Sequence, residues 1–352
     1  MPFTVNKASD LAAFQLEKFI KPSSPKSILR HLQKRPLLRV LEEKKEEYGS
    51  GKDYVREGVM GALMKDQTGF YVGIEGDDVL AFKASDGGIQ TQCPIRWMHA
   101  GFMITHDELL DAGIHIVDGN TKATTEEKLE LMKVLDTRLA DFGESTAAMR
   151  NKMLWQDGTQ DSKAIPGIFS ILREDPTATA TVLGISTANT WWRNIAATGV
   201  GGADPKLVYS KTDQTLTEGL DHYFTQLCRY GGEPDVWLAG SDFIDMVKRE
   251  ARAKGQLTVT GWSDTKTGIL VKGIQVDKYS IEYDPTLDDL GYEKRCVCFD
   301  SNHLRLRPQK MEWGKITNQN QPNDQFVMLK SVTDRGALSA NQLDCSAIFD
   351  AE

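Results

Sequence analysis

The chain has 352 residues and a mass of 39.2 kDa, enough for about two domains and a sizeable core. Charged residues make up 26% and apolar ones roughly 46% once Gly is counted and Tyr left out, an average globular composition that excludes disorder, collagen-like sequence and a simple coiled coil. The net charge of −8 is unevenly placed: residues 1–41 carry eight basic side chains against Asp10 and Glu17, a net of +6, which leaves −14 for the remainder.

Such a basic leader suits contact with a polyanion or with an acidic neighbouring subunit, or else a solvated amphipathic helix pair. Residues 10–20 and 36–48 read as short helices, separated by Lys21-Pro22-Ser23-Ser24-Pro25. No run of eighteen apolar residues occurs, and no apolar stretch follows Lys7 and Lys18, so neither a membrane span nor a secretion signal is expected. From Gly49 to about Pro94, Gly-punctuated β-type runs such as Gly69-Phe-Tyr-Val-Gly-Ile alternate with turns at Glu75-Gly76-Asp77-Asp78 and Asp86-Gly87-Gly88. Too few large apolar residues lie here to form a core. The segment reads as a long two-stranded projection, which is marginal in water unless another surface covers it.

Thr124-Thr-Glu-Glu127 matches a capping box, and a proline-free run follows to Trp155. Leu131, Leu135, Leu139, Phe142, Thr146, Met149 and Met153 form a stripe at helical spacing, and Asp157-Gly158 is a stop, so the sequence predicts one helix of roughly 45 Å. Gly199-Val-Gly-Gly202 reads as a hinge, and a helix follows over 213–230. A buried strand over 235–240 leads into a helix over 241–253. Alternating strands are expected at 257–262, 268–283, 295–299 and 304–307, then a polar turn-like stretch over 315–324, and β-type runs at 326–329 and 345–349. Helices grouped around antiparallel strands, with no βαβ repeat, indicate an α+β protein.

Nothing in this order spells out chemistry. The Gly-rich nucleotide loops, the HExxH zinc motif, the nucleophile elbow and the Ca-loop pattern are all absent. His31, His99, His106, His115, His222 and His303 never pair at i+3 or i+4. The five cysteines, Cys93, Cys228, Cys296, Cys298 and Cys345, are scattered without a CxxC and indicate a reduced intracellular site of synthesis. Cys296 and Cys298 share one strand face and read as small buried apolar residues. Trp191-Trp192-Arg193 offers a stacking platform for bases or sugars, or, as the reading preferred here, one buried ring beside one that seals an interface. No catalytic, cofactor-binding or metal-binding residue is assigned, and no cofactor is expected.

The succession Phe102–Ile114, the long helix, Trp155–Gly167, Gly184–Asn194 and Gly336–Cys345 resembles the major capsid proteins of tailed bacteriophages, which share the Hong Kong 97 type fold. The resemblance covers about Gly49 to the C-terminus and rests on order and spacing. It implies an N-terminal arm (1–48), an extended β-hairpin called the E-loop (49–95) and a peripheral domain (96–208) on a spine helix over 124–155. It also implies an axial domain (209–330) and a C-terminal strand (331–352) returning to the peripheral domain.

The implied function is structural rather than enzymatic: hexamers and pentamers closing into an icosahedral shell around double-stranded DNA in a virion, made in the bacterial cytoplasm. Expected partners are other copies of the chain, a separate scaffolding protein, a portal, a decoration protein, and DNA held by non-specific contact, with no membrane. Lys65, Phe70, Tyr71 and Lys83 of the E-loop, with Trp191, Trp192 and Arg193, are the expected inter-subunit contacts, and Lys7, Lys18, Lys21 and Lys26 the expected DNA-facing arm. Some members crosslink an E-loop Lys to a neighbour's Asn, for which Lys65 or Lys83 and Asn341 are present. The alternative is an encapsulin-like shell around protein cargo.

Overall fold

A computed structural model describes residues 35–49, 53–59, 71–75, 88–105, 107, 142–210, 213, 215–254, 273–276, 279–316 and 327–352. In chain order its strands are β1 (Tyr54–Val55), β2 (Gly58–Val59), β3 (Ile89–Gln90), β4 (Cys93–Pro94), β5 (Arg96–Thr105), β6 (Thr181–Val182), β7 (Ile185–Ser186) and β8 (Ile195–Ala197). There follow β9 (Val236–Ala239), β10 (Gly273–Val276), β11 (Tyr279–Tyr283), β12 (Arg295–Phe299), β13 (Leu304–Pro308), β14 (Lys315–Ile316), β15 (Val327–Ala340) and β16 (Ala347–Asp350).

A six-stranded sheet runs in the order β10-β11-β9-β12-β16-β8. Its central strands are buried on both faces, and side-chain alternation divides them between two cores. Val236, Leu238, Val297, Phe299 and Ile348 face one core, which also takes Leu37, Leu38, Leu154, Trp155, Leu306 and Leu338. Trp237, Ala239, Cys296, Cys298 and Phe349 face the other, closed by Leu216 and Leu220 of helix Thr215–Leu227 and by Phe243 and Val247 of helix Ser241–Lys254. The continuous apolar reading of Val236–Ala239 follows from this double cover, and the two β12 cysteines point into one core as expected.

The second sheet is built on β15. It pairs with β5 over Val327–Gly336, and on its other side with β14 and β13. The C-terminal return expected for 331–352 therefore divides in two. Residues up to Ala340 pair with β5 and β13, whereas β16 enters the first sheet between β12 and β8. The segment 209–330 and the segment before it thus contribute strands to one sheet.

Three local expectations are corrected. The helix starting at Pro36 ends at Glu43, because the chain beyond it runs beside β13 instead: Glu46 N–H donates to the Leu306 carbonyl and Tyr48 N–H to that of Pro308, both at 3.1 Å. Leu37, Leu38 and Leu41 are fully buried, so this end of the N-terminal segment is core, each Leu contributing about 2 kcal/mol. The strand expected over 268–283 is a hairpin of β10 and β11, and the stretch read as turn-like from Lys315 begins with β14.

The long helix is described over 142–155; its expected part from 124 to 141 lies outside the described residues. Over 142–155 the buried face keeps Met153 of the expected stripe but not Met149. Met149 is 66% exposed, while Asn151 and Leu154 are fully buried. A polar network explains why. Asn151 Oδ1 accepts from Leu38 N–H at 2.9 Å, and its Nδ2 donates to Thr286 Oγ1 at 2.7 Å, with Asp284 at 3.3 Å. Trp155 Nε1 and Thr286 N–H both donate to Asp284 at 2.9 Å. Three chain segments are joined at this buried point, and polar groups there are satisfied as burial demands.

Gly199–Gly202, expected as a hinge, is a closed turn. Gly199 N–H donates to the Asp204 carbonyl and Asp204 N–H to that of Ala196, both at 2.9 Å. Gly201 has φ +60°, and a Cβ there would lie 1.8 Å from Asp175 Oδ2. That carboxylate also accepts from Thr177 Oγ1 at 2.6 Å and Thr177 N–H at 3.0 Å, which lowers its pKa below the ordinary aspartate value.

Candidate assembly surface

The segment expected to project is rooted by two short antiparallel ladders, Tyr54↔Pro94 with Val55↔Cys93, and Gly58↔Gln90 with Val59↔Ile89. The intervening Thr91 N–H donates to the Glu57 carbonyl at 2.9 Å, so the register runs unbroken through the root. One face of this ribbon carries Val59, Thr91 and Cys93 inward. Burial pushes the Cys93 thiol up to about 11.

An ionic clasp holds the root to the second sheet. Arg307 reaches both Glu46 and Glu57 at 2.6 Å, and Arg305 reaches Glu46 at 2.6 Å. Ser339 Oγ on β15 donates to Glu57 Oε1 at 2.6 Å. The Arg307 guanidinium, with Arg305 beside it, holds the Glu46 carboxyl below the ordinary glutamate value. The clasp joins residues 46, 57, 305, 307 and 339, an arrangement that no local motif announces.

Beyond the root, Tyr71 is 96% exposed, Val72 58% and Ile74 60%. No group of three or more His, Cys, Asp or Glu among the described residues would hold a metal. A cavity of about 780 Å³ has Asp157, Arg173, Glu174, Asp175 and Tyr292 in its wall. Its carboxylates are occupied within the fold: Asp157 accepts from Thr159 and Asp175 from Thr177, while Glu174 pairs with Arg295. Arg295 in turn is clamped bidentately by Asp350 and stacked 4.2 Å from the Tyr292 ring centroid. These groups serve as cross-braces.

Of the residues expected at subunit contacts, Tyr71 is exposed, whereas Lys65, Phe70 and Lys83 lie outside the described residues, as do Lys7, Lys18, Lys21 and Lys26. Trp192 is corrected: it is fully buried, with its Nε1 donating to the Val182 carbonyl at 3.0 Å, and presents no surface to a neighbour. Trp191 is half-buried against it, ring centroids 6.0 Å apart, and Arg193 Nε donates to the Thr187 carbonyl at 2.6 Å. Asn341 faces His303, Oδ1 to Nδ1 at 2.8 Å. Sequence reasoning missed Trp97, 51% exposed, and Met103, 56% exposed, on the face of β5 opposite Met98 and Phe102; their alternation was the available signal.

The overall fold is similar to that of solved structures. A cyanophage A-1(L) capsid chain superposes with a TM-score of 0.57 at 15% identity, covering 90% of this chain and 92% of that one. The chain has a tailed-phage capsid fold. The capsid of an empty GTA particle matches with a TM-score of 0.53 at 12% identity over 89% of each chain. The holo-SrpI encapsulin complex of Synechococcus elongatus matches at 0.46 and 11% identity, over 90% of this chain and 86% of that one, too loosely to bear on function. No protein-family model and no curated protein matches the sequence.

Proposed function

We propose that this capsid-fold chain is the major coat subunit of a tailed phage, assembling as hexamers and pentamers into an icosahedral shell around double-stranded DNA. The observation that carries this reading is the superposition on the cyanophage capsid chain over nine-tenths of both molecules. The neighbours described above are capsid chains rather than enzymes.

The finer assignment follows the same plan. Residues 49–95 form the E-loop, a reading supported by the unbroken register of its root and by the exposure of Tyr71–Glu75, which straddles residue 74, midway between paired Val59 and Ile89. Residues 96–208 with the spine helix over 124–155 form the peripheral domain, and 209–330 the axial domain. Lys7, Lys18, Lys21 and Lys26 face the DNA, in keeping with the +6 leader on a −14 body. A separate scaffold, a portal and a decoration protein complete the assembly in the host cytoplasm. No helix among the described residues is long and apolar enough to cross a membrane.

Electron microscopy of the expressed protein, before and after nuclease treatment, tests the reading. Closed shells or ring-shaped capsomers, with nuclease-protected DNA in particles made alongside packaging components, are the expected result. Shells that fill with protein cargo instead establish the encapsulin-like alternative. A chain that stays monomeric at high concentration with scaffold supplied overturns both.

A further inference from the structure

The cavity of about 780 Å³ is walled by residues 156–160, just past the helix over 142–155, by residues 169–175, by Val200 and by the turn of Leu290 and Tyr292. Its volume is that of a small-molecule site. Its carboxylates are bonded within the fold, but several donors in the same wall are not. The Arg173 guanidinium, the Tyr292 hydroxyl and the Gln156 side-chain amide make no hydrogen bond or ion pair among the described residues. Of these groups only Arg173 Nε is enclosed, so the terminal guanidinium nitrogens stay reachable.

The two main donors are held in place. Arg173 N–H donates to Asn194 Oδ1 at 2.9 Å and the Arg173 carbonyl accepts from Asn194 Nδ2 at 3.0 Å, which fixes the root of the side chain. Tyr292 is wedged between the Arg295 guanidinium, 4.2 Å from its ring centroid, and the Phe169 ring, which meets it edge-on at 5.0 Å. Donors fixed before binding cost little to organise.

The wall leaves Arg173 without a negative oxygen, although a half-buried charge is ordinarily paired. A carboxylate fits the guanidinium fork with two parallel bonds. Phe169, Leu172 and Leu290 supply an apolar floor for whatever body carries it. The wall also sets a limit on charge. Hydrogen bonds from Thr159 and Thr177 hold Asp157 and Asp175 below the ordinary aspartate value, so both are ionised at neutral pH and repel a dianion more than a monoanion. We propose that this cavity binds a monocarboxylate with an aromatic or apolar body, the carboxylate on Arg173 with Tyr292 and Gln156 as further donors, and the body on Phe169, Leu172 and Leu290.

The test uses the full chain, dilute and unassembled, with phenylpropanoate as the probe and the Tm as the readout. A saturable rise with a dissociation constant of about 1 mM is expected, absent with phenylpropanamide and much weaker with phenyl phosphate. Arg173→Met should raise the half-saturating concentration about tenfold or more, while its unliganded Tm stays level because the guanidinium has no partner to lose. Arg173→Lys, which keeps the charge without the fork, should fall between the two and supplies the reading if Arg173→Met does not fold. Tyr292→Phe should raise the half-saturating concentration about threefold. The tripeptide Ala-Ala-Phe distinguishes the source of the carboxylate: binding about tenfold tighter than phenylpropanoate assigns the site to a peptide C-terminus, and binding no tighter assigns it to a free acid, either result upholding the site. Equal response to the acid and its amide, an Arg173 variant that binds like the wild type, or no saturable shift at all overturns it.

Discussion

Replacing Asn151 with Leu removes the centre of the buried network while keeping the same branched side-chain skeleton. The amide N–H of Leu38 then loses its acceptor, and Thr286 Oγ1 and the Asp284 carboxylate lose their shared donor; all of these groups are at most 4% exposed. An unsatisfied buried donor costs about 1–3 kcal/mol, and the weakened carboxylate about 1 more, so the loss is about 3 kcal/mol. For a chain of this length the unfolding entropy near the midpoint is about 0.7 kcal/mol/K, which places the expected fall in Tm at about 4 °C. Urea denaturation of dilute, unassembled protein measures it, with Met149→Ala on the same helix as the control. Met149 is 66% exposed, and its truncation should change stability by no more than about 0.5 kcal/mol. A smaller loss for Asn151→Leu than for Met149→Ala would refute the assignment of Asn151 to the buried face and with it the argument for the network.

Arg307→Met should open the hairpin root locally: hydrogen exchange over 53–59 and 89–95 rises, with a stability loss of about 1–3 kcal/mol confined to that unit. The same clasp gives a pH dependence. Because the folded state holds Glu46 below its ordinary value of 4.5, its contribution is present above that value and is lost as pH falls through the lowered one. Exchange at residues 46–48 should therefore rise on acidification below about pH 4 in the wild type and be flat in Arg307→Met. Gly167→Ala should destabilise severely, by about 3 kcal/mol or more in chemical denaturation, because the new Cβ would fall within 2.3 Å of the Leu154 carbonyl and 2.5 Å of those of Met153 and Gln156. In native protein at pH 8, a thiol reagent should leave Cys93, Cys296, Cys298 and Cys345 unlabelled, since all four are buried and burial raises each thiol, Cys345 to about 12; labelling at Cys298 would contradict its place in the core.

The elements most legible in the sequence were those whose pattern is local. Val236–Ala239 followed by a helix at Ser241, the helix before Tyr230, and the strand of Cys296 and Cys298 could be read from periodicity and turn residues, because each element reports its own burial. The pairing of residues 54–59 with 89–94 was implied by Gly punctuation around alternating runs. The α+β class followed from the same patterns.

The remaining structure depends on meetings between distant residues, which a local pattern does not encode. The stripe through Met149 looked apolar, yet the helix turns Asn151 inward because Leu38, Thr286 and Asp284 wait there from other parts of the chain. Gly199–Gly202 read as a hinge until Asp175 and Thr177 were found to fill the space beside it. The sequence expected one buried ring at Trp191-Trp192 without saying which, and the core takes Trp192, whose Nε1 donates to the Val182 carbonyl. Trp97 and Arg335 meet by the same rule: they lie far apart in sequence, and only β5 pairing with β15 sets them side by side. Composition and periodicity thus determined the fold class and the main helices and strands, because each of these reports its own local pattern. Tertiary pairing alone decided which polar groups find partners, because those partners come from distant parts of the chain.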